Sequence, residues 1–296
     1  MKPLTVQENK PLREVCTFGI GGPARYFVEV HTVEQAQEAL SLARELDLPF
    51  HVLGKGSNTL FHDMGINAVV ILNKIDFIAE IIPGRFHVGG GYSFSLLGVQ
   101  TARQGWSGLE FASGIPATIG GAVFMNAGAN GSETAAALES VDFVDADSNL
   151  QTIPKADLHF AYRTSSFQRL RGIITGATFQ LKKHEQARQQ QLEIINYRKH
   201  TQPYSDKSAG CVFRNPENLS AGSLIDKAGL KGISIGGAKV SEKHANFIVN
   251  SGKASSMEIQ ELINLIRQRV KDHAGVELES EIRCIPYDLN EPPPHA

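Results

Sequence analysis

Hydrophobic residues recur at helical spacing in the first half of the chain. After Thr32, a typical N-cap residue, apolar side chains return every three or four positions through residues 33–46. Residues 93–105 also read as a helix, and Gly105 is a typical residue to end one. Both segments are therefore predicted to be helices.

Two further helices are predicted in the second half. A charged helix begins near Glu185, where we expect a domain boundary. Ser255 and Glu258 have the spacing of a capping box. The apolar stripe that follows, from Ile259 to Val270, predicts an amphipathic helix directly after that box.

Short apolar runs bounded by glycine and other turn residues predict strands between these helices. Residues 50–61 contain two such runs around a glycine-rich loop, and β-branched runs dominate residues 140–182. In the closing run, residues 278–284, Leu278 and Ile282 alternate with charged side chains. Helices and strands mix without a regular βαβ rhythm, so the predicted fold class is α+β.

The composition narrows the class of protein. The 296 residues are 42% hydrophobic and 20% charged, which is ordinary for a soluble globular protein of two or three domains. A formal net charge of −2 gives no broad basic surface, so we expect no nucleic-acid partner. No apolar run approaches the roughly 20 residues that span a bilayer, and the first residues lack the apolar segment of a signal peptide. We expect a cytoplasmic protein without a membrane partner, and a monomer.

The cysteines and histidines predict neither disulfides nor a metal site. Cys16, Cys211 and Cys284 are odd in number and far apart, and the ten histidines show no HxxxH or HExxH spacing. Cys211 lies in a small polar segment, SAGCVFRNP, at residues 208–216. Taken alone, this segment leaves a structural thiol, a nucleophile and a proton donor open.

Two glycine-rich segments are candidates for ligand binding. Residues 54–58, GKGSN, match neither GxGxxG nor GxxxxGK[ST]. Their alternating glycines would let main-chain N–H groups converge on an anion, although a plain turn explains them equally well. Residues 108–131 are rich in glycine, apolar and almost uncharged. Such a segment allows the backbone to approach a flat ligand closely, and the alternative is a tightly packed internal corner of the protein. Together the two segments favour a dinucleotide with an apolar ring system.

Six motifs in order carry a resemblance to a known family. They are LGKGSNTLF, GLEFASGIPATIGGAVFMNAGA, YRTSSF, SAGCVFRNP, AGLKGISIGGAKVSEKHANFIVN and LESEIRCI. Together they resemble the UDP-N-acetylenolpyruvoylglucosamine reductases of early peptidoglycan synthesis, over about residues 17–285. Between Phe167 and the helix near Glu185 there is no room for the tyrosine-bearing insert of one branch of that family. The chain is therefore similar to the shorter branch.

The resemblance implies a vanillyl-alcohol-oxidase-like (PCMH-type) FAD-binding fold in two subdomains, followed by an α+β domain that closes over the substrate. We expect the subdomains at residues 1–72 and 73–184, the substrate-binding domain at 185–286 and a flexible tail at 287–296. FAD is the implied cofactor and NADPH the implied co-substrate. NADPH would reduce the flavin and leave, and the enolpyruvyl ether of UDP-N-acetylglucosamine would then be reduced to UDP-N-acetylmuramate in a ping-pong sequence.

The resemblance also implies which residues bind the cofactor and the substrate. The FAD-binding positions fall in the two glycine-rich segments: Gly54, Lys55, Gly56, Ser57, Asn58, Thr59, Ser113, Gly114, Ile115, Pro116, Gly120, Gly121, Asn126, Ala127 and Gly128. The substrate-binding positions fall in motifs that approach the substrate in relatives: Tyr162, Arg214, Asn215 and His244. Each of these four is explained equally well as a structural residue.

Two charged residues are implied to be catalytic. Reduction adds a hydride to C3 of the enol ether and a proton to C2, so negative charge develops on the neighbouring carboxylate. Arg163 in YRTSSF matches the family's catalytic arginine, and its planar guanidinium suits that carboxylate. Glu281 matches the family's glutamate and, if protonated, would donate a hydrogen bond to the developing enolate.

Cys211 is the third implied catalytic residue, and it stands where the family motif usually has serine as the donor of the C2 proton. A thiol, with a reference pKa of about 8.5, is a stronger acid than an alcohol. A neighbouring Arg163 would favour the thiolate, which has no proton to give. We interpret Cys211 as the proton donor because its flanking residues match the motif closely, and Cys16 and Cys284 as structural thiols.

Two other functions stay open at this point. An oxidase with the same FAD-binding fold would pass electrons to oxygen and form peroxide without consuming NADPH. A non-catalytic nucleotide-sugar-binding protein would keep the glycine-rich segments but show no turnover.

Overall fold

A computed structural model describes residues 3–290 of the chain. Of the tail predicted at 287–296, residues 291–296 lie outside the described residues.

The helices are α1 (Val33–Glu45), α2 (Phe94–Arg103), α3 (Ile119–Phe124), α4 (Thr134–Ala137), α5 (Ala187–Thr201), α6 (Ala221–Lys227) and α7 (Ser256–Ala274). The strands are β1 (Val6–Pro11), β2 (Pro23–Val30), β3 (Phe50–Leu53), β4 (Thr59–Phe61), β5 (Ile66–Asn73), β6 (Ile78–Ile82), β7 (Arg85–Gly89), β8 (Trp106–Ser107), β9 (Gly128–Ala129), β10 (Ser132–Glu133), β11 (Leu138–Asp145), β12 (Leu150–Pro154), β13 (Phe160–Ala161), β14 (Thr164–Ser165), β15 (Gly172–Gln180), β16 (Lys182–Lys183), β17 (Ser208–Cys211), β18 (Ser234–Ile235), β19 (Ala238–Val240), β20 (Phe247–Asn250) and β21 (Arg283–Ile285).

The predicted helix starts are confirmed by their capping hydrogen bonds. The side chain of Thr32 accepts from Gln35 N at the start of α1. At the start of α7, Ser255 Oγ accepts from Glu258 N, and the Glu258 carboxylate accepts from Ser255 N, which completes the capping box. These contacts satisfy N–H groups that the first turn of a helix leaves unpaired. Gly275 then ends α7 with a φ of 69°.

The described chain divides into two compact units. Unit 1 comprises residues 3–7, 26–55 and 69–198, and unit 2 comprises residues 8–25, 56–68 and 199–290.

Unit 1 is built around a five-stranded sheet of order β12-β11-β15-β7-β6, in which all neighbours are antiparallel. Successive residues of its central strands face opposite sides. Phe143 and Ile174 belong to the apolar cluster that contains α2 and α3, whereas Val144 and Ile173 belong to the cluster that contains α1. Both faces of this sheet are therefore covered, and its central strands are apolar on both sides.

A second sheet contributes to the same buried apolar cluster as α1. It has the order β1-β2-β5-β3, and β3 runs parallel to β5. Val28 and Val30 of β2 and Val69 and Ile71 of β5 join the same buried cluster as α1. Helix α1 therefore buries apolar residues against two sheets, which explains the strength of its hydrophobic pattern.

Unit 2 contains an antiparallel sheet of order β17-β20-β19-β18, with α7 packed against β18 and β19 and α6 packed against α7. The predicted apolar stripe of α7 is buried: Ile259, Leu262, Ile263, Ile266 and Val270. The stripe shares one core cluster with residues of β17, β19 and β20. Near the chain's end, β21 pairs in parallel with β4, from Arg283 opposite Thr59 to Ile285 opposite Phe61.

The mixture of helices and largely antiparallel strands confirms the α+β class. The expected boundaries at residues 72, 184 and 286 stay a prediction.

Among residues 3–290, no helix combines the length and the apolar character needed to cross a bilayer. The same residues hold no group of three or more His, Cys, Asp or Glu side chains arranged to bind a metal ion.

Replacing Ser255 with alanine removes the hydroxyl that caps α7. We expect the free energy of unfolding to fall by about 1 kcal/mol, the usual cost of losing an N-cap. Urea denaturation followed by circular dichroism measures it as a lower midpoint at unchanged slope. Ser251→Ala is the control, because Ser251 Oγ donates to Gly237 O outside any helix cap. Equal losses in the two variants would contradict a capping role for Ser255.

Candidate active site

The first half of the GKGSN motif lies against the turn that begins α3. A Cβ atom at Gly54 would lie 2.5 Å from Thr118 Oγ1, so glycine allows this close approach. Lys55 Nζ donates to Ser93 Oγ at 3.2 Å, and Ser93 and Thr118 form an isolated antiparallel bridge. Gly54 and Lys55 are thereby fixed to both neighbouring segments of unit 1.

This part of unit 1 carries positive charge. Partial burial lowers the pKa of Lys55, and the nearby charge of Lys74 lowers it further. A lysine pKa shifted down by these causes marks a place where an added anion is favourable. The surroundings of Lys55 therefore suit the diphosphate of a dinucleotide.

The second glycine-rich segment packs against residues 90–95. Gly120 N donates to Gly90 O at 2.8 Å, and Gly114 N donates to Ser95 Oγ at 2.7 Å. Gly114 has a φ of +83°, a conformation that favours glycine over any residue with a side chain. The turn at Gly114 therefore depends on its glycine.

Ser113, directly before that turn, holds a polar atom that the protein leaves unsatisfied. The residue is fully buried, and its Oγ has no hydrogen-bond partner among residues 3–290. An unpaired buried hydroxyl costs about 1–3 kcal/mol, so a bound ligand that supplies the partner is favoured there. Because Ser113 lies within the segment expected to hold FAD, the residues present fit this cofactor.

Asn126 has its amide engaged by the protein. It is buried with a left-handed φ of 42°, its Nδ2 donates to Ala161 O at 3.0 Å, and its Oδ1 accepts from Ala135 N at 3.0 Å. These bonds fix Ala161, two residues before Arg163. The role of Asn126 as an FAD ligand stays a prediction. The other predicted FAD-binding residues of this segment lie in or beside α3 and β9: Ile115, Pro116, Gly121, Ala127 and Gly128.

The second half of the GKGSN motif belongs to unit 2. Gly56 has a φ of +59°, and a Cβ atom there would lie 2.7 Å from Cys16 Cα. A Cβ atom at Gly210 would lie 3.9 Å from Ser57 O. Thr59 then begins β4. This turn is therefore packed against the backbone near Cys16 and near Cys211.

Asn58 joins this loop to the segment that carries Glu281. Its Nδ2 donates to Glu281 O at 3.2 Å, and Arg283 N donates to Asn58 O at 3.0 Å. The side-chain amide is thus used on the protein backbone. As with Asn126, contact with FAD stays a prediction.

Arg163 lies at the tip of a tight hairpin in unit 1. Strands β13 and β14 pair Ala161 with Thr164, which leaves Tyr162 and Arg163 as a two-residue turn. Arg163 has a φ of +56°, which costs a non-glycine residue about 1–2 kcal/mol. Gln168 Nε2 donates to Arg163 O at 2.9 Å, and the guanidinium carbon lies 4.9 Å from the centre of the Tyr162 ring. A half-buried arginine held in a strained turn is what a preorganised cation requires.

Cys211 ends β17 in unit 2, at a place where the strand is irregular. The pairing register with β20 shifts between Ser208 and Cys211, and Gly210 has a φ of +77°. Beyond Cys211, buried Asn246 fixes the backbone: its carbonyl accepts from Val212 N at 2.8 Å, and its side chain bonds both Phe213 N and Phe213 O. The thiol therefore follows a bulge that is anchored on its far side.

Glu281 is held next to this strand. Glu281 N donates to Val212 O at 2.7 Å, and Phe213 pairs with Ser280 in an isolated antiparallel bridge. Cys211 and Glu281, both half-buried, therefore lie on adjacent hydrogen-bonded segments of unit 2. Arg163 belongs to unit 1.

Three of the predicted substrate-binding residues belong to unit 2. Arg214 Nη1 lies 3.9 Å from Glu279 Oε2, while its buried Nε has no hydrogen-bond partner in the described part of the chain. Asn215 Oδ1 accepts from Ala221 N at the start of α6. His244 Nδ1 accepts from Asn246 N at 3.2 Å. The fourth, Tyr162, is exposed beside Arg163 in unit 1.

Two residues that organise this region were not predicted from the sequence. Asn246 locks the backbone after Cys211, and Thr17 Oγ1 donates to Ser208 O at 2.6 Å. Asn246 lies two positions after His244 in the motif KHANF, so the motif identified the segment but not this residue. No comparable signal marked Thr17.

Comparisons with known proteins agree for both parts of the chain. Residues 24–153 match the family model described as an FAD binding domain. Residues 202–285 match that of the UDP-N-acetylenolpyruvoylglucosamine reductase C-terminal domain. The FAD-binding fold that the resemblance implied is confirmed by the first match.

Similar proteins extend over nearly the whole chain. UDP-N-acetylenolpyruvoylglucosamine reductase of Protochlamydia amoebophila is 58% identical over 289 residues, covering 98% of this chain and 97% of that protein. The reductase of Chlamydia muridarum is 48% identical over 288 residues, covering 97% of each. The crystal structure of UDP-N-acetylenolpyruvylglucosamine reductase from Thermus caldophilus superposes with a TM-score of 0.81 at 38% identity, covering 97% of this chain and 100% of that one.

These matches confirm the resemblance drawn from the six motifs. The chain belongs to the UDP-N-acetylenolpyruvoylglucosamine reductase family of FAD-dependent oxidoreductases.

Proposed function

We propose that this chain reduces the enolpyruvyl ether of UDP-N-acetylglucosamine to UDP-N-acetylmuramate in peptidoglycan synthesis. NADPH is the reductant, and it leaves before the enolpyruvyl substrate binds, in a ping-pong sequence. The observation that best supports this function is the placement of Cys211 and Glu281 on adjacent hydrogen-bonded segments. Both residues lie within the range matched by the reductase's C-terminal domain.

The cofactor would be held by the two glycine-rich segments. Gly54, Lys55 and the turn at Gly114 would surround it in unit 1, with Ser113 Oγ as a hydrogen-bonding partner. The resemblance also assigns Gly56, Ser57 and Asn58 to FAD binding. When bound, FAD would accept a hydride from NADPH and, as the reduced flavin, supply it to C3 of the enol ether.

Arg163 would stabilise the charge that develops on the substrate. The enol ether is conjugated to a carboxylate, so hydride addition at C3 places negative charge on that group as an enolate. A guanidinium stays protonated at neutral pH and can bind both carboxylate oxygens. The hairpin turn, fixed by Gln168 and Asn126, would limit the reorganisation of Arg163 during the reaction.

Cys211 would complete the reaction by giving its thiol proton to C2. Glu281, held on the adjacent segment, would donate a hydrogen bond to the enolate while protonated. The buried Arg214 Nε, which has no partner within residues 3–290, would be satisfied by an acceptor oxygen of the nucleotide sugar. His244 and Asn215 would border the same substrate.

An anaerobic titration tests this function. The purified protein is expected to show flavin absorbance, to bleach on addition of NADPH and to recover its colour when the enolpyruvyl sugar is added. UDP-N-acetylglucosamine is the control and should not restore the colour, because it has no double bond to reduce. Colour that returns only with oxygen, together with peroxide, would identify an oxidase. A protein that binds the nucleotide sugar without flavin would identify a binding protein. Either result contradicts the proposal.

Two substitutions at Cys211 test the proton donor. Serine keeps a donor, so Cys211→Ser should retain substantial turnover, whereas Cys211→Ala should lower kcat by about 10²-fold or more. Stopped-flow reduction by NADPH should stay near normal in both variants, because that half-reaction does not use the C2 proton. Cys284→Ala, which changes a thiol outside the proposed site, is the matched control. Near-normal turnover in Cys211→Ala would rule the role out.

The remaining thiols should react slowly with alkylating agents. Burial raises the pKa of Cys16 and of Cys284, although the charge of Arg267 partly opposes the shift at Cys284. Because the thiolate is the nucleophile, both cysteines should react with iodoacetamide more slowly at pH 8 than a cysteine peptide, and their rates should keep rising at a pH where the peptide's rate has levelled off. Peptide mapping by mass spectrometry measures the rates, and in urea the difference should disappear. Equal rates in the folded protein would contradict the burial of these thiols.

A further inference from the structure

Thr17 connects the turn at Gly56 to the strand that leads into Cys211. Its main-chain N donates to Gly56 O at 3.2 Å. Its Oγ1 lies 2.6 Å from Ser208 O and 3.3 Å from Gly56 O, so the shorter and stronger bond goes to Ser208. One residue thus contacts both segments through its backbone and its hydroxyl.

The strand needs such an anchor because its own pairing is interrupted. The register with β20 shifts between Ser208 and Cys211, and Gly210 adopts a left-handed φ of +77°. Asn246 holds the backbone at Val212, after the thiol. Thr17 holds it at Ser208, before the thiol, so the bulge that carries Cys211 is pinned on both sides.

Glu281 is held to the same turn by a different residue. Asn58 Nδ2 donates to Glu281 O, and Glu281 N in turn donates to Val212 O. The placement of Glu281 therefore does not depend on the Thr17 hydroxyl. Loss of that hydroxyl should act on Cys211 and leave the backbone bonds of Glu281 in place.

We propose that Thr17 is a positioning residue, which holds Cys211 in the geometry for proton transfer relative to the turn at Gly56. This inference rests on the proposed function, in which Cys211 gives the C2 proton. In this inference Thr17 acts through Cys211 rather than on the substrate. A displacement of about 1 Å at a reacting group can cost about 10²-fold in rate, so a single anchoring bond can matter for turnover.

The test removes the Thr17 hydroxyl and follows the two half-reactions separately in the flavin-loaded enzyme. Thr17→Val keeps the shape of the side chain. It should keep flavin content and the rate of reduction by NADPH within about twofold, and should slow reoxidation by the enolpyruvyl sugar by about tenfold or more. Thr17→Ser restores a hydroxyl and should recover most of that rate. Thr152→Val, which removes a hydroxyl bonded to Asp142 Oδ1 at 2.7 Å in unit 1, is the matched control and should change neither half-reaction.

A double-mutant cycle separates positioning from general stabilisation. In the Cys211→Ala background, Thr17→Val should change reoxidation by less than about twofold, because the group that it positions is absent. The alkylation rate of Cys211, measured by mass spectrometry in the protein with and without flavin, should change by about threefold or more in Thr17→Val and return in Thr17→Ser. If Thr17→Val does not yield folded protein, Thr17→Ala takes its place with the same expected results.

Several results would overturn the inference. One is unchanged reoxidation in Thr17→Val, and another is a loss of flavin in step with the loss of rate. Additive effects with Cys211→Ala, or no recovery in Thr17→Ser, would also refute it. A wild-type enzyme that the enolpyruvyl sugar does not reoxidise refutes the proposed function as well. A normal wild type, an impaired Cys211→Ala and a normal Thr17→Val refute the positioning role alone.

Discussion

The hydrogen bond from Glu281 N to Val212 O, 2.7 Å long, is the contact on which the candidate chemistry of unit 2 depends. A side chain can be held at a fixed position only if the backbone beneath it is fixed, and this bond joins the two segments that carry Cys211 and Glu281. The next residue pair, Phe213 and Ser280, extends the contact as a single β-bridge. Two residues far apart in sequence are thereby placed on neighbouring, hydrogen-bonded segments.

The strained turn at Arg163 in unit 1 is likewise held by hydrogen bonds to the backbone. Arg163 adopts a left-handed conformation that a glycine or asparagine would take more easily. The bonds from Gln168 to its carbonyl and from Asn126 to Ala161 hold the hairpin in place. Asn126, which the sequence presents as a ligand donor, thus supports the backbone near Arg163 instead. Such support contributes to preorganisation around a proposed catalytic group.

The sequence predicted the elements whose signals are local. Helices α1 and α7 combine a capping residue with an apolar stripe, and both were found at their predicted starts. Strand β6 was missed because all five of its residues are exposed, so no alternation marks it. Thr17 and Asn246 were missed because their partners are main-chain atoms 191 and 33 residues away. No local pattern encodes such contacts. The site residues were predicted from six family motifs that occur in a fixed order. Single residues, or the spacing between them, would not have identified these positions.

Some polar side-chain atoms of the implied binding motifs are hydrogen-bonded within the protein and others are not, and this difference bears on ligand binding. A buried polar group without a partner is costly, and folding selects against it unless something else supplies the bond. Asn126, Asn58 and Asn246 lie in the implied binding motifs, yet each bonds backbone groups of the protein. Ser113 Oγ in unit 1 and Arg214 Nε in unit 2 lie in the same motifs and lack partners among residues 3–290. Within residues 3–290, Glu110 Oε1, in the same motif as Ser113, and Arg85 Nε and Arg267 Nε, outside the six motifs, also lack partners. None of the three is a predicted ligand-binding position, so an orphaned atom alone does not mark a site. Ser113 and Arg214 are distinguished because, at each of them, a burial cost coincides with a position that the resemblance implies for ligand binding. Ser113 lies in the range matched by the FAD-binding domain, and Arg214 in the range matched by the reductase's C-terminal domain.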